Sequence, residues 1–305
     1  MKGFRRFSTT MKCCLLAFTI VVIKVYWFHH IDNFNPPNRM TKKEKERKFV
    51  YLIQSDGCLS SHFKGERQIG NGTKCDCDVI VLNYKQKCLE NGLKHVDYVY
   101  KTGTTWNSGR NFLYQYAMNR STNYLYYILV DDDIRLRLND DSNNDDNSSI
   151  GPWRAFERFL LTYKPAIAGT SYCYGITARC TTIKVPSVHA VKEKLVIDAA
   201  FNAFHYKALP YVLPYLTKGE DVSWHYSQYY MIMIARRYFK GFALVFTNVT
   251  AVNYQHREYP RKDLSAQETE IFESEVDVLV KGQNKNIPSW NGTRVIVEAV
   301  VTCRC

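Results

Sequence analysis

The amino-acid sequence predicts an α/β protein whose central sheet is mostly parallel and is flanked by helices. Short β-rich runs alternate with amphipathic helical stretches from residue 49 onward. The run at residues 124–130 is strongly apolar and is followed at once by three consecutive aspartates. Near-continuous apolar strands are typical of parallel sheets that are buried on both faces. The sequence therefore indicates a covered sheet with an acidic turn at the end of one strand.

The individual elements follow from the hydrophobic periodicity. Strands are predicted at 49–54, 79–83, 96–100, 124–130, 166–172 and 242–252, and helices at 108–119, 153–163 and near 222–238. Residues 195–215 show mixed signals, and no element is predicted after residue 262. The stretch 139–147 is crowded with Asp and Asn but lacks the Gly and Glu that an EF-hand loop requires, so it is predicted to be an exposed loop.

The N-terminus has the pattern of a membrane-targeting signal. Residues 1–12 contain four basic residues and no acid, and residues 13–28 are apolar apart from Lys24. The length of this run lies between that of a cleaved signal peptide and that of an anchor. No small-x-small cleavage site follows it, which favours an uncleaved signal-anchor helix. By the positive-inside rule, residues 1–12 form a cytosolic tail, residues 13–28 cross the membrane, and the remainder is luminal.

A stem and a single large domain are predicted beyond this anchor. Residues 29–48 contain Pro36 and Pro37 and a charged run at 42–48, so they have little to bury in a core. Residues 49–305 form the predicted luminal catalytic domain. The formal net charge of +12 comes largely from the tail and the stem. It therefore does not argue for a nucleic-acid partner, and none is expected in the lumen.

Sequons and cysteines agree with a luminal location. The chain contains five Asn-x-Ser/Thr sequons, which start at Asn71, Asn119, Asn147, Asn248 and Asn291. Eight cysteines follow the predicted span, an even number that allows complete pairing with several connectivities. Cys75-x-Cys77 and Cys303-x-Cys305 lack the two-residue gap of zinc knuckles, so disulfides are predicted rather than a structural zinc site.

The acidic run Asp131, Asp132 and Asp133 is the strongest candidate for a functional site. Three adjacent carboxylates repel one another, and a divalent cation relieves this repulsion. In α/β sheets, ligands bind beyond the carboxyl ends of the strands, which is where this run is predicted to lie. The alternative is a solvated turn, because Asp is common where a strand ends.

The context of this run resembles the donor half of GT-A glycosyltransferases, particularly the family-2-like pattern. The resemblance lies in Ser108-Gly109-Arg110-Asn111, an intervening helix, and an apolar strand that leads into Asp131-Asp132-Asp133. It implies a Rossmann-like nucleotide-sugar fold and a DxD motif in which Asp131 and Asp133 hold a manganese or magnesium ion. A further implied metal ligand is His256, after the last core strand, although a lone histidine is also commonly structural.

The same resemblance implies residues that bind the donor. Asp132 would contact the ribose or the sugar, and Arg110 with Asn111 would lie near the diphosphate. Gln54, Ser55 and Asn83, at the ends of the first strands, would contact the base and ribose. An arginine at a solvated helix start is the alternative for Arg110.

The acceptor side is implied by Gly219-Glu220-Asp221, which resembles the Glu-Asp motif of many GT-A enzymes. Asp221 is the expected base that deprotonates the acceptor hydroxyl, with Glu220 as the second candidate. The alternative is an acid that favours a helix N-terminus. Further candidates on this side are Asp198, Asn202, Trp224 and His225, although Trp224 is equally compatible with core packing.

Together these features predict a single-pass type II membrane protein of the Golgi or the endoplasmic reticulum. The expected activity is metal-dependent transfer of a sugar from a nucleotide-sugar donor, first of all a UDP-sugar, to a glycan or glycoprotein. Two alternatives stay open: a catalytically inactive luminal glycan-binding protein of the same fold, and a metal-dependent luminal hydrolase. The Gly-Arg-Asn element argues against the hydrolase.

Overall fold

A nine-stranded sheet is the centre of the protein in the computed structural model. The structure describes residues 47–65, 68–69, 75–90, 93, 95–139, 150–174, 191–193, 198–220, 225–254, 266–282 and 290–294. These residues belong to the compact unit Glu44–Cys305. Among them, no helix has both the length and the apolar character required to cross a membrane. The predicted tail and anchor, and the stem up to residue 46, lie outside the described residues.

The described helices and strands alternate along the chain. The strands are β1 (Phe49–Ser55), β2 (Cys77–Asn83), β3 (Val96–Tyr100), β4 (Tyr126–Asp131), β5 (Ile134–Leu138), β6 (Ile167–Tyr174), β7 (Val191–Glu193), β8 (Phe201–His205) and β9 (Ala243–Asn253). The α-helices are α1 (Trp106–Met118), α2 (Pro152–Tyr163), α3 (Leu209–Val212), α4 (His225–Tyr238) and α5 (Ala266–Gly282). A short 3-10 helix lies at Ser61–Phe63.

The sheet order is β3-β2-β1-β4-β8-β6-β9-β5, and β7 also pairs with β9. Strands β1, β2, β3 and β4 are parallel to one another, and β6 and β9 are parallel to each other. The antiparallel ladders are formed by β5, β7 and β8. Six of the nine described strands therefore run in one direction, which confirms the predicted α/β class with a mostly parallel sheet flanked by helices.

The sheet separates two hydrophobic cores. Along β1, Val50 and Leu52 face one core, whereas Tyr51 and Ile53 face the other. Helices α1, α3, α4 and α5 contribute buried residues to the first core, and α2 contributes to the second. This burial on both faces explains why β1 and β4 are apolar at almost every position.

The order of strands reverses beside β1. This strand pairs in parallel with β2 on one side and with β4 on the other. In the register, Gln54 is opposite Asp131, and Ser55 is opposite Asn83. Adjacent loops leave the sheet in opposite directions at such a point, which opens a crevice at the carboxyl ends of the strands.

The Cys58–Cys88 disulfide ties down the loops of this edge, whereas the Cys75–Cys77 disulfide lies at the start of β2. Cys58–Cys88 joins the loop after β1 to the loop after β2, and a second disulfide joins Cys75 to Cys77. Cys173 is also disulfide-bonded. The three described sequon asparagines, Asn119, Asn248 and Asn291, are exposed, as a glycan acceptor must be, and Asn71 and Asn147 lie outside the described residues.

Candidate functional site

The acidic run lies at the carboxyl end of β4, at the switch point between β1 and β4. Asp131 is the last residue of the strand, and Asp132 and Asp133 form the turn to β5; all three side chains are partly exposed. The backbone of this turn is fixed from several sides. Asp131 N donates to Ala200 O at 2.9 Å, Ser60 Oγ donates to Asp132 O at 3.3 Å, and Tyr254 N donates to Asp133 O at 3.5 Å.

Asp131 is held by the first turns of α1. Arg110 Nη2 and Trp106 Nε1 both donate to Asp131 Oδ1, at 2.6 Å and 3.0 Å. The other terminal nitrogen of Arg110 donates to Ala199 O at 2.6 Å. The guanidinium carbon of Arg110 lies 3.9 Å from the centroid of the Trp106 ring, a cation–π geometry. Arg110 thus joins α1, β4 and the turn before β8.

The charge of Arg110 is maintained despite complete burial, because its side chain is only 2% exposed. Burial alone would lower its pKa, but the Asp131 carboxylate and the neighbouring Tyr215 outweigh this effect and raise the pKa above its ordinary value. The pair therefore remains an ion pair at any pH at which Asp131 is ionised. A solvated arginine at a helix start, the alternative considered from the sequence, is not what the structure contains.

Gln54 positions the start of α1. Its Nε2 donates to Thr105 O at 3.0 Å. Gly109 allows this approach, because a Cβ at that position would lie 2.5 Å from three atoms of the Gln54 side chain. The glycine of the Gly-Arg-Asn element therefore has a packing role: it lets the end of β1 and the first turns of α1 come together.

The helix cap brings Glu220 to the same place. Thr105 caps α1, and its hydroxyl accepts from Ser108 N at 3.1 Å in a capping box. The same hydroxyl donates to Glu220 Oε2 at 2.6 Å. Two consecutive residues, Thr105 and Trp106, are thus hydrogen-bonded to Glu220 and to Asp131. The candidate acceptor-side acid and the acidic run share the N-terminus of one helix.

Asparagines of α1 fix the segment that leads to Glu220. Asn111 Nδ2 donates to Tyr215 O at 2.9 Å, and Asn111 Oδ1 accepts from Tyr215 N at 2.6 Å. Asn107 Nδ2 donates to Leu216 O at 3.0 Å. Asn111 therefore positions a backbone segment in this structure, a contact that the sequence did not reveal.

The residues at the ends of β1 and β2 are buried. Ser55 and Asn83 are each 1% exposed. Asn83 Nδ2 donates to Gly57 O, and Cys88 N donates to Asn83 Oδ1 at 3.2 Å. These bonds hold together the two loops that the Cys58–Cys88 disulfide also joins. Asn83 thus stabilises the two loops beneath the crevice.

Two of the acceptor-side candidates lie beside the acidic run. Asp198 Oδ1 accepts from Ala200 N at 2.9 Å, and Ala200 O in turn binds the backbone of Asp131. Asn202 pairs with Leu129 in the β4–β8 ladder and is fully buried. Neither polar atom of its side chain has a hydrogen-bond partner within the described part of the chain.

The remaining candidates are only partly covered by the structure. Asp221, Trp224 and His256 lie outside the described residues. His225 is the first residue of α4, but its side chain is not among the described ones.

The acidic run suits a divalent cation only with further ligands. Across the described residues, two groups of three potential ligands lie within 4.8 Å of one another: Cys58 with Cys88 and Glu90, and Cys75 with Cys77 and Glu157. Both contain disulfide-bonded sulfurs, which are not metal ligands. The carboxylate oxygens of Asp131 and Asp133 are of the type that magnesium and manganese prefer. Substrate phosphates would complete such a set.

Sequence reasoning missed Trp106 and Thr105. The helix was predicted to begin at Ser108, but it begins at Trp106 and is capped by Thr105. The missed signal was the spacing of Trp106 and Arg110, which places both on one face of a helix at i and i+4. The antiparallel strands β5 and β8 and helix α5 were not predicted either.

No protein-family model matches the chain, and a comparison with curated proteins also finds no match.

Proposed function

We propose that the protein is a divalent-metal-dependent glycosyltransferase that transfers a sugar from a nucleotide sugar to a glycan or glycoprotein. The observation that carries this proposal is the shared attachment of Asp131 and Glu220 to the first turn of α1. A candidate metal ligand and a candidate proton acceptor are thereby held at one edge of the sheet. In α/β proteins, nucleotides commonly bind in the crevice at this edge of the sheet.

The residues take the following roles in this proposal. Asp131 and Asp133 hold a manganese or magnesium ion, with His256 as a further ligand. Such an ion supplies Lewis-acid stabilisation of the charge on a diphosphate leaving group. Asp132 and Gln54 line the donor side, and Ser55 and Asn83, each 1% exposed, support this side from within the protein. The acceptor hydroxyl gives its proton to Asp221, or to Glu220 beside it, while the protein orients the hydroxyl toward the anomeric carbon.

The negative charge of the acidic turn would have to be offset by a cation before a phosphorylated donor could bind there. The acidic turn carries three carboxylates, of which Asp131 is already paired with Arg110. A divalent cation held by Asp131 and Asp133 would offset the negative charge of the turn and would favour the binding of a phosphorylated donor. The proposal also includes a type II anchor at residues 13–28 and a Golgi or endoplasmic-reticulum location, which rest on the sequence pattern and the sequons.

A thermal-shift screen of the full chain in detergent tests this function. A ligand that binds only the folded state stabilises it by about 2.7 kcal/mol at one hundred times its Kd. We expect UDP-sugars to raise the Tm with manganese present and to have little effect with a chelator present. If a glycan raises the Tm but neither the metal nor the nucleotide does, the result would instead favour a glycan-binding protein. Free sugar as the main product at saturating acceptor would favour a hydrolase.

A further inference from the structure

We propose that Arg110 is a positioning residue for Asp131, and not a ligand of the donor diphosphate. This inference rests on the proposed function, because it assigns how one metal ligand of that site is oriented. It departs from the role that the Gly-Arg-Asn resemblance implies for this arginine.

The hydrogen-bonding capacity of Arg110 is directed into the protein. Its two terminal nitrogens donate to Asp131 Oδ1 and to Ala199 O, each at 2.6 Å. One face of the guanidinium is covered by the Trp106 ring at 3.9 Å. The side chain is 2% exposed. A diphosphate could reach a terminal nitrogen only if the structure around this buried side chain opened.

Of the two carboxylate oxygens of Asp131, one accepts hydrogen bonds in these contacts and the other does not. Oδ1 accepts from both Arg110 and Trp106, whereas Oδ2 receives no hydrogen bond from any described residue. The Asp131 side chain is 16% exposed. Two fixed donors on Oδ1 determine the plane of the carboxylate and therefore the direction of Oδ2. Groups that orient a metal ligand in this way commonly change metal affinity by about 10- to 100-fold.

A purely structural ion pair is a poorer explanation. Buried ion pairs contribute little net stability, because the loss of hydration offsets their attraction. The protein also has an ordinary pair elsewhere: Arg120 and Asp97 lie 2.9 Å apart with both side chains about one-third exposed. Arg120 therefore provides a matched control, an arginine–aspartate pair remote from the acidic run.

The decisive measurement is manganese binding to the full chain in detergent, both without nucleotide and with UDP present, monitored by the electron paramagnetic resonance signal of free Mn²⁺ against a protein-free control. We expect Arg110→Gln to weaken binding about tenfold or more. In an Asp131→Asn background the same substitution should cause no further loss, because the residue that Arg110 orients is then no longer a ligand. Arg120→Gln should leave the affinity unchanged.

Two results would overturn the inference in distinguishable ways. If Arg110→Gln leaves manganese binding intact but weakens UDP binding at saturating metal, Arg110 is a diphosphate ligand and the proposed function stands. If the wild-type chain binds no manganese either without nucleotide or with UDP present, the metal-dependent function fails, and the positioning role fails with it.

A milder variant keeps the test valid if Arg110→Gln does not fold. Trp106→Phe retains a ring against the guanidinium and removes the 3.0 Å donor to Asp131 Oδ1. We expect a smaller loss of manganese affinity in the same direction, again absent when Asp131 is Asn. Equal affinity of Trp106→Phe and wild type in a folded protein would count against the positioning role.

Discussion

The hydroxyl of Thr105 donates a 2.6 Å hydrogen bond to the carboxylate of Glu220, which follows it by 115 residues. The same hydroxyl caps α1, so one side chain both starts a helix and holds the carboxylate of a candidate catalytic base. Thr105→Val keeps the shape of the side chain and removes both interactions. We expect the free energy of unfolding to fall by about 1 kcal/mol, the usual value of an N-cap. Urea denaturation measures this change, and Thr105→Ser is the matched control that should restore most of it. Equal stability of the valine variant and wild type would contradict the cap.

Replacement of Asp131 and Asp133 by Asn tests the metal site directly. The amides keep the size of the side chains but remove the charge that a cation requires. We expect metal-dependent binding of UDP-sugars to be lost in titration calorimetry, with an unchanged circular dichroism spectrum. Asp97→Asn is the control, because Asp97 pairs with Arg120 away from this turn. Unchanged donor affinity in the double variant would rule out this turn as the metal site.

The close contact of Gly109 with Gln54 predicts that Gly109→Ala changes the stability of the protein in opposite directions with and without the Gln54 side chain. Alanine in a helix is normally more stable than glycine by about 1 kcal/mol. At Gly109, however, a Cβ would lie 2.5 Å from the Gln54 side chain, which would have to leave its hydrogen bond to Thr105. We expect Gly109→Ala to destabilise the wild-type protein and to stabilise a Gln54→Ala variant. Thermal unfolding of wild type, the two single variants and the double variant measures both effects. A change in stability of the same sign in both backgrounds would contradict this prediction.

A buried carboxyl predicts a pH dependence of stability. Burial raises the pKa of Glu157 to about 7, against the opposing charge of Arg154, and Tyr51 Oη donates to its Oε1 at 2.7 Å. The folded state therefore holds the proton more tightly than the unfolded state, whose pKa is the ordinary value of 4.5. The stabilisation by the neutral carboxyl is complete below pH 4.5 and is lost as the pH rises to about 7. The loss is about 3 kcal/mol, since each pKa unit corresponds to about 1.4 kcal/mol.

The substitution Glu157→Gln measures how much the Glu157 carboxyl contributes to the pH dependence of stability. His205 acts in the opposite sense, because burial and two lysines lower its pKa to about 4, so the wild-type profile contains both effects. The difference between the glutamine variant and wild type isolates Glu157. We expect the variant to gain stability relative to wild type as denaturation is moved from pH 5 to pH 8. Parallel pH profiles for the glutamine variant and wild type would refute the assignment.

The Cys58–Cys88 disulfide is expected to stabilise the folded protein strongly. It closes a loop with a sequence separation of 30 residues, for which chain entropy gives about 3 to 4 kcal/mol. The bridged loop also carries Ser60 and His62, which bind Asp132 O and Ile134 O. We expect the Cys58→Ala, Cys88→Ala double variant to unfold at a clearly lower urea concentration. An unchanged midpoint would show that these loop contacts are sufficient without the bridge.

The regular, apolar part of the fold was predictable from the sequence. Strands β1 and β4 are buried on both faces, and such strands leave a continuous apolar signal. The acidic turn was predictable for the same reason, because the end of the apolar run locates it. Strand β5 was missed: it has only five residues, and it forms directly after the two-residue turn of Asp132 and Asp133.

Other features depend on contacts that no local pattern encodes. Helix α5 exposes Ile271 and Val278 at 54% and 66%, which blurs the apolar stripe by which a helix is recognised. The i,i+3 spacing of Arg154 and Glu157 is typical of a solvated pair, yet Glu157 is 5% exposed. Arg110 likewise has the sequence context of a surface helix start. Its burial depends on Asp131 and Ala199, which lie far along the chain.

The 115-residue separation between Thr105 and Glu220 also has a consequence for biosynthesis. A nascent chain that has emerged only as far as Asp131 contains the DxD motif but neither Ala199 nor Glu220. The hydrogen bonds from Arg110 to Ala199 and from Thr105 to Glu220 therefore form only after the second half of the domain has been synthesised. The hydrogen bonds from Arg110 and Trp106 to Asp131 involve only residues 106–131, so they can form before the rest of the domain is made.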